Sequence, residues 1–272
     1  MTTANELTST RALALHRARA ARADLFLQDQ AADEVQDRLS LVNRTFTRIA
    51  VVTPFAEVWA DRLPGARIVP DDDTLDLEPG QYDLVIHALS LHWANDPVGQ
   101  LIQCRRALMS DGLLIAASLG GRTLEELRAC LGEAEIAVSG GLSPRVAPMG
   151  EIRDLGALLQ RAGLALPVAD SVTLNAEYRD AWHLMHDLRA MGETNALSQR
   201  LRHTPPRALF RQTAQLYQAN FPTEADRVRA TFEIVFLTGW APDDSQQKPL
   251  RPGSAKQRLA DALQVPEQEL PD

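Results

Sequence analysis

Lysine is almost missing from this 272-residue chain: it stands only at Lys248 and Lys256, and arginine carries nearly all the positive charge. Acids outnumber bases, 36 Asp+Glu against 28 Lys+Arg, for a formal net charge of -8. Phosphate binding needs concentrated cationic surface, so a general affinity for nucleic acid or anionic lipid is not expected. Cysteine is equally scarce. Cys104 and Cys130 are far apart and belong to no CxxC pair, which argues against a disulfide framework or a cysteine-rich zinc site and suits a reducing compartment. No stretch approaches the roughly 20 apolar residues of a membrane span, and the polar start from Thr2 to Thr10 has no signal-peptide core. A soluble, cytoplasmic protein is the expectation. Neither a G-x-S-x-G elbow, a GKS or GKT phosphate loop nor an H-E-x-x-H helix occurs, so hydrolase, nucleotide triphosphatase and zinc protease readings lack support.

What is present alternates between strand and helix patterns. Residues 10–42 read as one helix without internal Pro or Gly, and the acids Asp24, Asp29, Asp33, Glu34 and Asp37 argue against a transit peptide. The β-branched run Ile49-Ala50-Val51-Val52 leads into Thr53-Pro54, a cap and first-turn pair for a helix over 55–63. A short strand at 66–69 ends before Asp71-Asp72-Asp73. A buried strand at 82–89 precedes Ser90-Leu91-His92-Trp93, a helix over 98–109 and a further strand at 113–119. The order implies a parallel sheet with crossover helices, closed by an antiparallel pair at 168–174 and 232–237. The expected division is a helical segment at 1–45, an α/β core at 46–175 with 228–240, a helical cap at 176–227 and a polar tail at 241–272.

Tyr82-Asp83-Leu84-Val85 through Leu89-Ser90-Leu91-His92-Trp93, with Arg106-Ala107-Leu108 before Asp111-Gly112, resembles the fourth and fifth strands of class I S-adenosylmethionine (SAM) dependent methyltransferases. Further matches are Gly120-Gly121-Arg122-Thr123-Leu124-Glu125-Glu126-Leu127-Arg128, Gly141-Leu142-Ser143-Pro144-Arg145, Asp187-Leu188-Arg189-Ala190-Met191-Gly192-Glu193-Thr194-Asn195 and Thr238-Gly239-Trp240. Together these resemble the methyltransferase-like assembly factors of respiratory complex I, relatives of the biotin-pathway methyltransferases, over nearly the whole chain. The resemblance implies a Rossmann-like methyltransferase sheet, S-adenosylmethionine as cofactor, a protein partner, and arginine modification in the mitochondrial branch. It also implies that His16-Arg17-Ala18-Arg19 packs beside the cofactor cleft.

The chain departs from that family where the cofactor is gripped. The family's D-x-G-x-G-x-G turn uses glycine so that backbone N–H groups can approach the cofactor. Here the equivalent turn is Val51-Val52-Thr53-Pro54-Phe55-Ala56-Glu57, with no glycine and a proline that has no N–H. The short spacing from Val52 to Asp83 implies that one strand and helix unit is deleted. Asp71 to Asp73 read as the ribose acid, the adenine-side acid or a solvated loop, and the adenine side matches best. Asp71, Ser90 and Leu91 are therefore the expected cofactor contacts, with His92 and Trp93 at the substrate cleft. His92 is either a general base or a strand cap with Trp93 packed beneath the next helix. His183 and His186, with Asp187 beside them, could put two imidazoles on one helix face, but a third metal ligand at recognisable spacing is missing, so no metal is expected, and Glu125, Glu126, Glu133 and Glu135 read as an exposed helical face. Two functions remain open: a diverged, non-catalytic pseudoenzyme that binds a protein partner, or an active SAM-dependent methyltransferase or arginine-modifying enzyme.

Overall fold

The structure is a computed structural model that describes residues 6–247. Its helices are α1 (Thr10–Arg17), α2 (Phe26–Leu41), α3 (Ala56–Trp59), α4 (Pro97–Ala107), α5 (Glu125–Ser139), α6 (Ile152–Arg161), α7 (Ala181–Ala190) and α8 (Arg207–Asn220). Its strands are β1 (Ile49–Val52), β2 (Arg67–Val69), β3 (Tyr82–His87), β4 (Leu108–Leu119), β5 (Ala165–Tyr178) and β6 (Val228–Trp240). The described residues divide into two units, 6–242 and 243–247. Within the second, Ser245 N–H donates to Asp243 at 2.9 Å.

The six strands lie in the order β2-β1-β3-β4-β6-β5. The first four are parallel, and β6 runs antiparallel to both β4 and β5. A parallel sheet closed by an antiparallel pair is the order the sequence reading implied, with only α3 and β2 between β1 and β3. Ala50, Val51 and Val52 are fully buried, the signature of a parallel strand covered on both faces. The chain leaves β1 for β2 on one side and returns to β3 on the other, so the ends of β1 and β3 border the crevice where sheets of this kind take ligands.

Several local expectations fail for tertiary reasons. The single helix over 10–42 is broken: α1 stops at Arg17, and Ala21 N–H donates to Ala190 O at 3.2 Å while Leu25 is buried. These contacts override the high helix propensity of the Ala- and Arg-rich segment 17–23. After β1, Thr53 does not cap a long helix; its Oγ1 accepts the N–H of Phe55 at 3.1 Å, and α3 has only four residues. Helix α4 ends at Ala107, and β4 begins at Leu108. Ahead of α5 the Thr123 hydroxyl exchanges hydrogen bonds with the backbone N–H and C=O of Glu233, 3.1 Å each, and Leu124 precedes the helix with φ 56°.

The acids of α5 are the clearest correction. Glu126 and Glu135 are buried, not solvated. Glu126 accepts from Thr231 N–H at 3.1 Å and Thr231 Oγ1 at 2.6 Å. Glu135 holds Ser143 N–H and Oγ and pairs with Arg145 at 2.6 Å. Periodicity saw two acids per turn and could not see the strand and loop that would cover them.

Segment 176–227 is continuous with the main core. Leu184, Leu188, Leu209 and Tyr217 share one apolar cluster with Leu127, Leu131 and Phe232, so α7 and α8 roof that end of the sheet.

Candidate functional site at the ends of β1 and β3

Beyond β3 the chain makes a sharp turn, with Leu89 at φ 37°, and enters a single 3-10 turn at Leu91–Trp93. Gln28 Nε2 donates to Leu89 O at 3.2 Å, fixing the turn from α2. Asn95 clamps the N-terminal segment: Thr8 N–H donates to its Oδ1 at 2.9 Å, and its Nδ2 donates to Thr8 O at 3.1 Å. Helix α1 therefore lies against the crevice.

His92, whose sequence neighbourhood offers no acid partner, finds one in Glu193. His92 Nε2 lies 3.2 Å from Glu193 Oε2, and Trp93 Nε1 donates to the same oxygen at 2.8 Å. Leu119 N–H lies 3.5 Å from His92 Nδ1, on the side of the ring away from Glu193. The His92 and Glu193 side chains are 2% and 10% exposed. Burial alone would push the Glu193 carboxyl up, but His92, the Trp93 indole and Arg17 outweigh it and hold the group below its usual range. Glu193 sits on the turn after α7, and no motif or spacing links it to position 92.

Asp71 is already engaged. Arg17 of α1 grips both carboxylate oxygens, at 2.9 and 3.0 Å. The loop behind it is tied down by Gln100, whose Nε2 donates to Asp71 O at 3.3 Å and Asp72 O at 3.2 Å and whose Oε1 meets His87 Nε2 at 2.7 Å. His87 is fully buried, and burial pushes its pKa down, which keeps it neutral.

The other expected contacts diverge. Ser90 is buried, and its Oγ has no hydrogen-bond partner among the described residues. Leu91 packs with Val52, Val85 and Leu101 in the core on the α4 side. After β1, Phe55 and Trp59 are 4% and 0% exposed and join the main core; no residue from 53 to 59 has a positive φ.

Two cavities meet at Trp93. One, of about 450 Å³, is walled by Arg17, Asp71, Asn95 and Gln100. The other, of about 290 Å³, is largely apolar, walled by Leu119, Leu131, Met185, Phe210 and Phe232, with Glu193 on its lining. His183 stacks edge-on with Tyr178, whose hydroxyl donates to Asp187 at 2.7 Å. Among the described residues no three His, Cys, Asp or Glu converge as metal ligands.

A family model described as a methyltransferase domain matches residues 31–116, which run from within α2 through β1, β2, β3 and α4 to most of β4. Over these residues the chain is similar to methyltransferase domains. It is 36% identical over 203 residues to the zebrafish (Danio rerio) protein named arginine-hydroxylase NDUFAF5, mitochondrial, covering 75% of this chain and 63% of that one. The Dictyostelium discoideum protein of the same name is 38% identical over 192 residues, covering 70% and 44%. A malonyl-[acyl-carrier protein] O-methyltransferase of Laribacter hongkongensis is 32% identical over 188 residues, covering 69% and 61%. The chain thus spans between 44% and 63% of the length of these relatives. Among solved structures, Haemonchus contortus phosphoethanolamine N-methyltransferase 2 with bound S-adenosylhomocysteine aligns at TM-score 0.41 and 12% identity, over 78% of this chain and 52% of that one.

The expected cytoplasmic location is overturned by the NDUFAF5 relatives, which are mitochondrial by name. Few cysteines and no long apolar run are common to any reducing aqueous compartment, so composition could not separate one from another. No described helix is long and apolar enough to cross a membrane.

Proposed function

We propose that this methyltransferase-family chain has a degenerate cofactor groove and acts by binding a protein partner, as a factor in respiratory complex I assembly. The observation that carries the reading is the turn after β1. A SAM groove needs free N–H groups and room at that turn. Here Pro54 has no N–H, the Phe55 N–H is spent on Thr53 Oγ1, and the Phe55 ring is buried in the core. Of the expected cofactor contacts, Leu91 packs away from the crevice and Asp71 is held by Arg17. Ser90 alone keeps an unpaired group. On this reading the residues present do not fit S-adenosylmethionine, and no chemical step is routed through it. The NDUFAF5 relatives support the assembly setting.

Removing the gene and restoring it with wild type or a Ser90→Ala variant, which removes the unpaired hydroxyl among the expected cofactor contacts and is checked as folded by circular dichroism, tests the reading. Restored complex I assembly by both chains is the expected result; restoration by wild type alone would count against it. A second reading, an enzyme acting on an arginine side chain, is favoured by the His92–Glu193 pair, which has the geometry an acid–base couple requires. Mass spectrometry of complex I arginines with and without the chain separates the two.

A further inference from the structure

Helix α1 lies in a seam against the segment that follows α7. Ser9 N–H donates to Ala196 O at 2.8 Å and Ala21 N–H to Ala190 O at 3.2 Å. Gly192, with φ 81°, meets the Arg17 backbone so closely that a Cβ there would sit 3.2 Å from Arg17 Cα. The two segments therefore run antiparallel, which sets Arg19 beside Arg189. Arg200, whose Nη1 donates to Leu197 O at 2.8 Å, stands toward the start of α1. Neighbouring acids are engaged elsewhere: Asp187 with Tyr178, Glu193 with His92 and Trp93, Asp71 with Arg17 and Asp29 with Arg22. Arg19, Arg189 and Arg200 form no ion pair among the described residues, and Arg19 and Arg189 are exposed. Burial lowers the pKa of His16 on α1, and Arg19, Arg200 and Arg189 lower it further, so the three cations act on one spot. On a chain of net charge -8 this is a local reversal of sign. Positions 182 and 189 share one face of α7. Trp182 on that face is 41% exposed, its ring 5.9 Å from Phe210.

We infer that this face docks an acidic segment of a protein partner, its carboxylates on Arg19, Arg189 and Arg200 and an apolar side chain on Trp182. Guanidinium groups take carboxylates in paired hydrogen bonds, and these three break no existing ion pair to do so. Arginine and tryptophan are also the side chains that dominate protein interfaces. Nucleic acid fits less well, because it draws on many phosphate contacts at once and the rest of the surface is acidic. The inference deepens the proposed function by giving the chemistry of the partner, and it rests on that reading for the partner's existence.

The probe is a fluorescein-labelled peptide of four Glu-Glu-Leu repeats, titrated with the full chain and followed by fluorescence anisotropy, with Gln-Gln-Leu repeats as the neutral control. The acidic peptide should bind about tenfold or more tightly than the neutral one, and the preference should shrink as salt is raised. An Arg19→Gln, Arg189→Gln double variant, folded by circular dichroism, should lose about fivefold or more of that affinity. Arg153→Gln removes an exposed arginine from α6, which packs on the opposite core cluster from α7, and should leave the affinity unchanged. Trp182→Ala should weaken both peptides. Equal binding of the neutral peptide, a preference that survives the double variant, an equal loss in Arg153→Gln, or binding unmoved by Trp182→Ala would each overturn the inference. So would tighter binding of a labelled oligodeoxythymidine or of phosphatidylserine vesicles. The Ser90→Ala restoration and the S-adenosylmethionine titration read the crevice instead, so either proposal can fail alone.

Discussion

Trp93 Nε1 and Glu193 Oε2 lie 2.8 Å apart although 100 residues separate them in the chain. This bond joins the turn after β3 to the helical roof, with His92 on the same oxygen. Glu193→Ala strands both donors in a buried place and should cost about 2–3 kcal/mol of stability. Urea unfolding measures it. Glu193→Gln should lose clearly less, and equal losses would mean that the carboxylate merely fills space.

Acid should unfold the protein through its held carboxylates. Glu193, Asp83 and Glu135 all sit below the usual carboxyl range in the folded chain: burial opposes the shift, while His92 for Glu193, the N–H groups of Thr47 and Arg48 for Asp83, and Arg145 for Glu135 outweigh it. A depressed folded pKa gives stability that is present above the unfolded pKa and lost as pH falls through the folded one. Stability measured by urea titration should therefore fall below about pH 4. Asp83→Asn should flatten that acid limb; a steeper limb in the variant would refute the assignment.

The two faces of α5 should respond differently. Glu126→Ala removes both acceptors of Thr231 from a buried site and should cost about 2–3 kcal/mol. Glu133 is exposed, and its alanine variant should change stability by no more than about 0.5 kcal/mol. Thermal melts of the pair check the contrast.

Phe55→Ala empties a buried site in the main core and should cost about 3–4 kcal/mol. The variant should not acquire S-adenosylmethionine binding, since Pro54 still lacks an N–H and Arg17 still holds Asp71. Calorimetric gain of binding would mean that the ring alone closes the groove.

The sheet was readable because β1, β3 and β4 are apolar runs set apart by clear turn signals, and the short spacing from Val52 to Asp83 leaves room only for α3 and β2. His92 and Trp93 stand in a segment singled out by motif, and the structure places both against Glu193. What escaped were partners brought by distant elements: Glu193 for His92, Arg17 for Asp71, Thr231 for Glu126. Each is fixed by how helices pack over the sheet, and local patterning carries no trace of that. Leu91 was misplaced as a cofactor contact for a related reason, since the 3-10 turn directs it toward α4 while its neighbours Trp93 and His92 face Glu193.

Calorimetric titration of the full chain with S-adenosylmethionine and S-adenosylhomocysteine tests the degenerate groove most directly. No heat of binding at micromolar ligand is the expected result; saturable micromolar binding of either would contradict it.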